Sequence, residues 1–179
     1  MMKRSILRWE LSGIAFIFVV GFPWHYVFGW LGGWRPAALV FPVNESVWEH
    51  TKLCFWPALI WALVEYPFIG KRTAGFWAAK AAGLLTMVVL MAVLFYGYLA
   101  VLGRSVLWAN LLDFAIATAA GQLVSYRILT GPALSPAARR LGTLGLAVML
   151  IAFLSLSYFP PRTFLFLDPN MRLYGILPQ

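Results

Sequence analysis

The side chains able to do chemistry are His25, Asp113 and a box reading Pro42-Val43-Asn44-Glu45-Ser46-Val47-Trp48-Glu49-His50-Thr51-Lys52. A carboxylate beside an imidazole can take and return a proton, so the catalytic pair on offer is Glu49 as general base with His50 as acid. Asn44 is a good N-cap, and carboxylates in a first helical turn are favoured by the helix dipole, which accounts for Asn44 and Glu45 without any function. His50 and Lys52, two turns in, have no such account. On a helical wheel Glu45, Glu49, Lys52 and Trp56 share one face, while Ser46, His50 and Leu53 share the next. Two readings follow. Glu49 and Lys52 form a structural ion pair at i,i+3, or they line a polar cavity in which Glu49 accepts a proton, Lys52 holds it ionised or binds an anion, and His50 lies at the edge.

Depth along the helices bears on that choice. His25 and His50 each lie about six residues, roughly 9 Å, inside an outer helix end, and Asp113 roughly 12 Å inside another. Tyr96 and Tyr98 fall in the outer half of a third helix. Two histidines, Glu45, Glu49 and Asp113 at matching depth, in a chain with only two histidines and six acidic residues, point to a shared pocket. The expected ligand-binding set is His25, Asn44, Glu45, Glu49, His50, Lys52, Asp113, Asp168 and Tyr174. The cofactor is left unknown, with a metal ion possible and His25, Glu45, Glu49 and His50 as the ligands to test. The adjacent Glu49 and His50 point about 100° apart, so the zinc pattern of two ligands at i,i+4 is carried only by Glu45 and Glu49. Thr118, Gln122 and Ser125 form a polar stripe that interhelical hydrogen bonding explains. Glu65 and Lys80 fit snorkelling or mutual pairing near the inner interface. No phosphate loop, nucleophile elbow or nucleotide fingerprint is present.

The elements that must position these groups are long apolar helices. Of 179 residues, 62% are hydrophobic and 11% charged, too few charges to cover a water-facing surface. The basic excess, 14 against six, does not gather into a nucleic-acid-binding face, so no nucleic-acid partner is expected. The lone Cys54 excludes disulfides within the chain. Five stretches are long enough to span a bilayer, near 9–31, 45–69, 74–102, 106–129 and 138–158, which makes 1–179 a single all-α membrane domain. The first run lacks a small-x-small cleavage site and reads as a retained helix rather than a signal peptide.

An N-terminus inside and a C-terminus outside puts eight basic residues in the cytoplasm, at positions 3, 4, 8, 71, 72, 127, 139 and 140. Arg35, Arg104, Arg162 and Arg172 are then outside, as the positive-inside rule prefers. The aromatic tail 159–179 then packs on the bundle from the extracytoplasmic side. Ala117 with Gly121, and Gly29 with Gly33, are small-residue pairs suited to close helix approach. There is no internal repeat of the kind that single-chain transporters carry.

The box resembles the signature of a bacterial family of small multi-pass membrane proteins known only as a domain of unknown function. The likeness extends to His25, Gly121-Gln122-Leu123-x-Ser125-Tyr126, and the tail residues Phe159-Pro160-Pro161, Asp168-Pro169 and Tyr174-Gly175. It implies an architecture and a candidate site but no reaction.

The expectation is a five-helix bundle in a bacterial inner membrane, with the lipid bilayer as partner and a homo-oligomer or membrane complex as its setting. Its polar extracytoplasmic pocket, capped by the tail around Asp168 and Tyr174, would bind or translocate a small polar or ionic ligand. An intramembrane enzyme acting on a lipid-like substrate through Glu49 and His50 is the alternative, and a structural subunit the third reading.

Overall fold

The computed structural model describes residues 2–176, so the last three residues of the tail assigned above lie outside it. Five helices are formed: α1 (Met2–Trp30), α2 (Val47–Glu65), α3 (Phe76–Leu102), α4 (Leu107–Thr130) and α5 (Pro136–Ser155). Among the described residues there is no strand, only an isolated bridge between Leu167 and Tyr174. α1, α3, α4 and α5 are long and apolar enough to cross a membrane. α2 is not among them, because Glu49, His50, Thr51 and Lys52 make its first turns polar.

Local chemistry sets the boundaries. α1 begins at Met2, taking in the basic residues expected to precede the helix, and Gly32 and Gly33 end it in left-handed conformations (φ 61° and 67°). Ser46, not Asn44, caps α2 by accepting from the Glu49 amide at 3.3 Å. Asn44 instead accepts from the Ser46 amide at 2.8 Å, a local turn that leaves Glu45 outside the helix. Ser135 caps α5, with Pro136 at its first position. α2 stops at Glu65, earlier than the apolar pattern suggests, where the chain turns into a 3-10 segment at Gly70–Arg72.

Contacts run α1 to α2, α2 to α3, α3 to α4 and α4 back to α1, closing a ring of four helices, with α5 lying outside against α3. α2 is the most enclosed, with 13 of its 19 residues buried, whereas α5 buries only Leu146 and Phe153. Phe153 stacks on Phe55 and Trp48 at 3.9 and 4.6 Å between ring centres, and Phe166 of the tail also stacks on Trp48 at 4.9 Å. Gly121 of the expected small-residue pair does meet another helix: a Cβ there would stand 2.6 Å from the Gly83 carbonyl oxygen. The pair at Gly29 and Gly33 does not pack, since a Cβ at Gly29 would have nothing within 4 Å and Gly33 lies beyond the helix end.

Candidate functional site

Among the described residues three clusters of paired ionisable side chains result, and the residues of the box are split between two of them. The wheel places Glu45 beside Glu49, but a residue ahead of the cap is not on the wheel. Glu45 turns toward α1, where its Oε1 lies 3.2 Å from His25 Nε2 and its Oε2 lies 3.5 Å from His50 Nε2. The two imidazole rings are 5.0 Å apart and inclined by 33°. His50 Nδ1 donates to the Ser46 carbonyl at 2.9 Å, which commits that nitrogen and leaves Nε2 to face the carboxylate. The hydrogen bond from His25 holds the Glu45 carboxyl below the usual carboxylate range. Partial burial opposes this, and the facing imidazole of His50 reinforces it.

This cluster opens on a cavity of about 270 Å³ at one end of the four-helix ring. Every helix of the ring contributes: Phe22, His25 and Tyr26 from α1, Val47, His50 and Leu53 from α2, Met91 and Phe95 from α3, and Asn110, Leu111, Asp113 and Phe114 from α4. Asp113 lines the same cavity and is buried, and its Oδ1 has no hydrogen-bond partner within the protein. Pro169 and Asn170 of the tail close part of the rim.

The tail is fixed by residues that do not line the cavity. Asp168 accepts from the Glu45 amide at 2.8 Å and from the amides of Asn170 and Met171 at 2.8 and 2.7 Å. Asn44 donates to the Gly175 carbonyl at 2.7 Å, and Tyr174 packs against the main apolar cluster. These three expected ligand residues hold the rim rather than face the hollow.

Glu49 and Lys52 form the second cluster, away from the cavity. They pair at 2.8 Å, with Lys52 fully buried and the Glu49 side chain 2% exposed. Lys52 also donates to the carbonyls of Ala38 and Phe41 at 2.7 and 3.2 Å and to Ser157 Oγ at 2.6 Å. Glu49 accepts from the Val43 amide and from Ser157. Every donor on Lys52 is therefore used within the protein, and the ion-pair reading describes this couple; Glu49 does not join the other three metal-ligand candidates. Ser157 is not among the expected site residues, because only a hydroxyl near the end of the fifth apolar stretch marks it.

The third cluster sits at the opposite end of the ring. Lys80 reaches Glu65 at 2.5 Å and Glu10 at 2.8 Å, so mutual pairing rather than snorkelling describes them, with a third member that the pattern did not single out. Ser125 donates to Glu10 at 2.7 Å and Gln122 to its backbone carbonyl at 3.4 Å, whereas Thr118 finds no partner. The signal for Glu10 was its burial-prone setting, a single acid in the apolar run that follows Arg8.

A ring of four helices, three of them long and apolar enough to cross a membrane, with ionisable clusters inside its two ends is the class this fold and site define. The chain belongs to a family described as a Family of unknown function (DUF6512), whose model matches residues 1–176. No curated protein and no solved structure significantly matches the chain.

Proposed function

We propose that this chain is a multi-pass protein of a bacterial inner membrane, with its N-terminus inside, and that its extracytoplasmic cavity binds a small polar or ionic ligand. The outer surface supports the membrane setting: Val19 on α1, Val89 and Val93 on α3, Ile116 on α4 and Val148 and Ile151 on α5 are all large, apolar and exposed. α2 is the fifth span in this reading, its 19 residues reaching about 28 Å, with its charges turned into protein rather than lipid. Lys3, Arg4 and Arg8 at the start of α1 share an end with Lys71, Arg72, Arg139 and Arg140, the arrangement that the positive-inside rule favours.

The observation that carries the ligand reading is the convergence of His25, Glu45 and His50 on one cavity with the unpartnered Asp113 in its wall. Translocation draws support from α4, whose buried Asp113, Thr118, Gln122 and Ser125 run about 18 Å from the cavity toward Glu10 and Lys80. A lipid-like occupant draws support from Phe22, Tyr26 and Leu107, which line the cavity yet are exposed on the bundle's flank. An enzyme of that kind would work through His25 and His50, since Glu49 is held by Lys52.

Mass spectrometry of the protein purified in lipid nanodiscs tests this. Wild-type protein is expected to retain a bound species that His25→Gln and Asp113→Asn lose while keeping their helical circular dichroism. A wild-type protein that carries nothing, and whose thermal unfolding no ionic or polar compound shifts, would end the reading.

A further inference from the structure

We propose that His25, Glu45 and His50 bind one divalent transition-metal ion of the zinc class, with its remaining coordination position open to the cavity. The proposal deepens the reading of the cavity as a ligand site and rests on it. Three arguments converge on the ion.

The first is distance. Two ligand atoms each about 2.0–2.1 Å from a tetrahedral zinc stand about 3.3 Å from one another. His25 Nε2 is 3.2 Å from Glu45 Oε1, and His50 Nε2 is 3.5 Å from Glu45 Oε2. One ligand atom from each of the three residues falls within 4.8 Å of the others. An ion seated on all three would draw the widest of these separations in, since two atoms each about 2.1 Å from one ion stand at most about 4.2 Å apart.

The second is the orientation of His50. Its Nδ1 donates to the Ser46 carbonyl, so Nε2 is the nitrogen turned toward the Glu45 carboxylate at the cavity. A metal-bound histidine typically donates its other nitrogen to a carbonyl or carboxylate, the contact His50 makes with Ser46.

The third is support and selectivity. Glu45 is anchored from behind, its amide donating to the buried Asp168 at 2.8 Å, so the loop that carries it is clamped to the tail. Two imidazoles and one carboxylate suit zinc-class ions, whereas magnesium and calcium favour sets made wholly of oxygen. Three protein ligands with a fourth position left open is the arrangement of zinc sites that bind exchangeable groups rather than of closed structural ones. Asn110 and Asp113 line the hollow that this position faces. The three ligands come from α1, the following loop and α2, which is why no single helix displays the usual i,i+4 spacing.

Cobalt(II) titration of the full chain in nanodiscs, after chelator treatment, is the test, with elemental analysis of the untreated protein beside it. The expected result is one equivalent of cobalt with the intense visible bands of a tetrahedral nitrogen and oxygen site, displaced by zinc. Glu45→Gln, His50→Ala and the milder His25→Gln should each weaken binding tenfold or more with circular dichroism unchanged. Cys54→Ser should leave the spectrum as it is, because the thiol is buried outside this cluster. Cobalt binding that survives in the His25→Gln, His50→Ala double variant overturns the assignment of ligands. A wild-type protein that binds no cobalt or zinc but keeps an organic species in its mass spectrum overturns the metal site and leaves the cavity reading standing. Absence of both overturns the two together.

Discussion

Ser157 accepts a hydrogen bond from Lys52 at 2.6 Å and donates one to Glu49 at 2.6 Å, so a hydroxyl just past α5 closes an ion pair on α2. The pair thereby ties the outermost helix and the start of the tail to the most enclosed helix of the ring. Its energy is not a simple gain, because desolvating two charges costs about as much as their attraction returns. What the arrangement supplies is a single permitted register between α2 and the chain after α5.

Lys52→Met should therefore be severe, since it leaves Glu49 ionisable and buried without a cation. A loss of about 3–5 kcal/mol is expected, with the Lys52→Met, Glu49→Gln double variant recovering part of it. Unfolding followed by circular dichroism in mild detergent under rising dodecyl sulfate measures both. A single variant as stable as the wild type would show that the hydrogen bonds from Val43 and Ser157 suffice to hold Glu49.

The cluster at the other end of the ring makes an asymmetric prediction. Lys80 is shared by Glu10 and Glu65, so Lys80→Met strands two carboxylates whereas Glu65→Gln leaves the Glu10 pair intact. The first should cost about 3–5 kcal/mol and the second much less. Equal losses in the same unfolding assay would mean that Glu65 carries the cluster alone.

Legibility in the sequence followed from the kind of information each feature needs. Apolar length and the Gly, Ser and Pro stops are local, so the five helices and most of their ends could be read directly. The depth argument, which needs only the rise per residue, put His25, His50 and Asp113 in the layer where they line one cavity. The partition of the box could not be read that way. It turns on Ser46 rather than Asn44 capping the helix, while Asn44 ties the loop to the tail through Gly175 at 2.7 Å, 131 residues away. Glu10 and Ser157 are illegible for the same reason, since each is defined by partners on distant segments.

Asp168 should act on the cavity without touching it. Asp168→Ala removes the acceptor for the Glu45 amide and for two amides of the tail, so both the carboxylate and the rim loosen. Cobalt affinity should fall by about 10–100-fold, the effect usual for a lost partner behind a ligand. Trypsin cleavage at Arg172 should quicken in parallel. Unchanged affinity with faster cleavage would separate the tail from the site.

Gly21 sets the distance on which the cavity depends. Pro57 has no amide hydrogen, so the Leu53 carbonyl one turn earlier lacks its helical partner, and α1 meets α2 at that oxygen. A Cβ at Gly21 would stand 2.4 Å from the Leu53 oxygen and 2.6 Å from the Phe114 ring, with backbone on one side that cannot swing away. His25 is one turn above Gly21 and His50 about one turn before Leu53, so parting the helices here draws the two imidazoles away from each other. Gly21→Ala should thus keep a helical, monodisperse protein yet weaken cobalt binding at least tenfold. Gly29→Ala, with nothing within 4 Å of the added carbon, should leave that affinity unchanged. If the two variants bind cobalt alike, the closeness of α1 and α2 is a matter of packing alone and the ligand geometry is set from the loop side by Glu45.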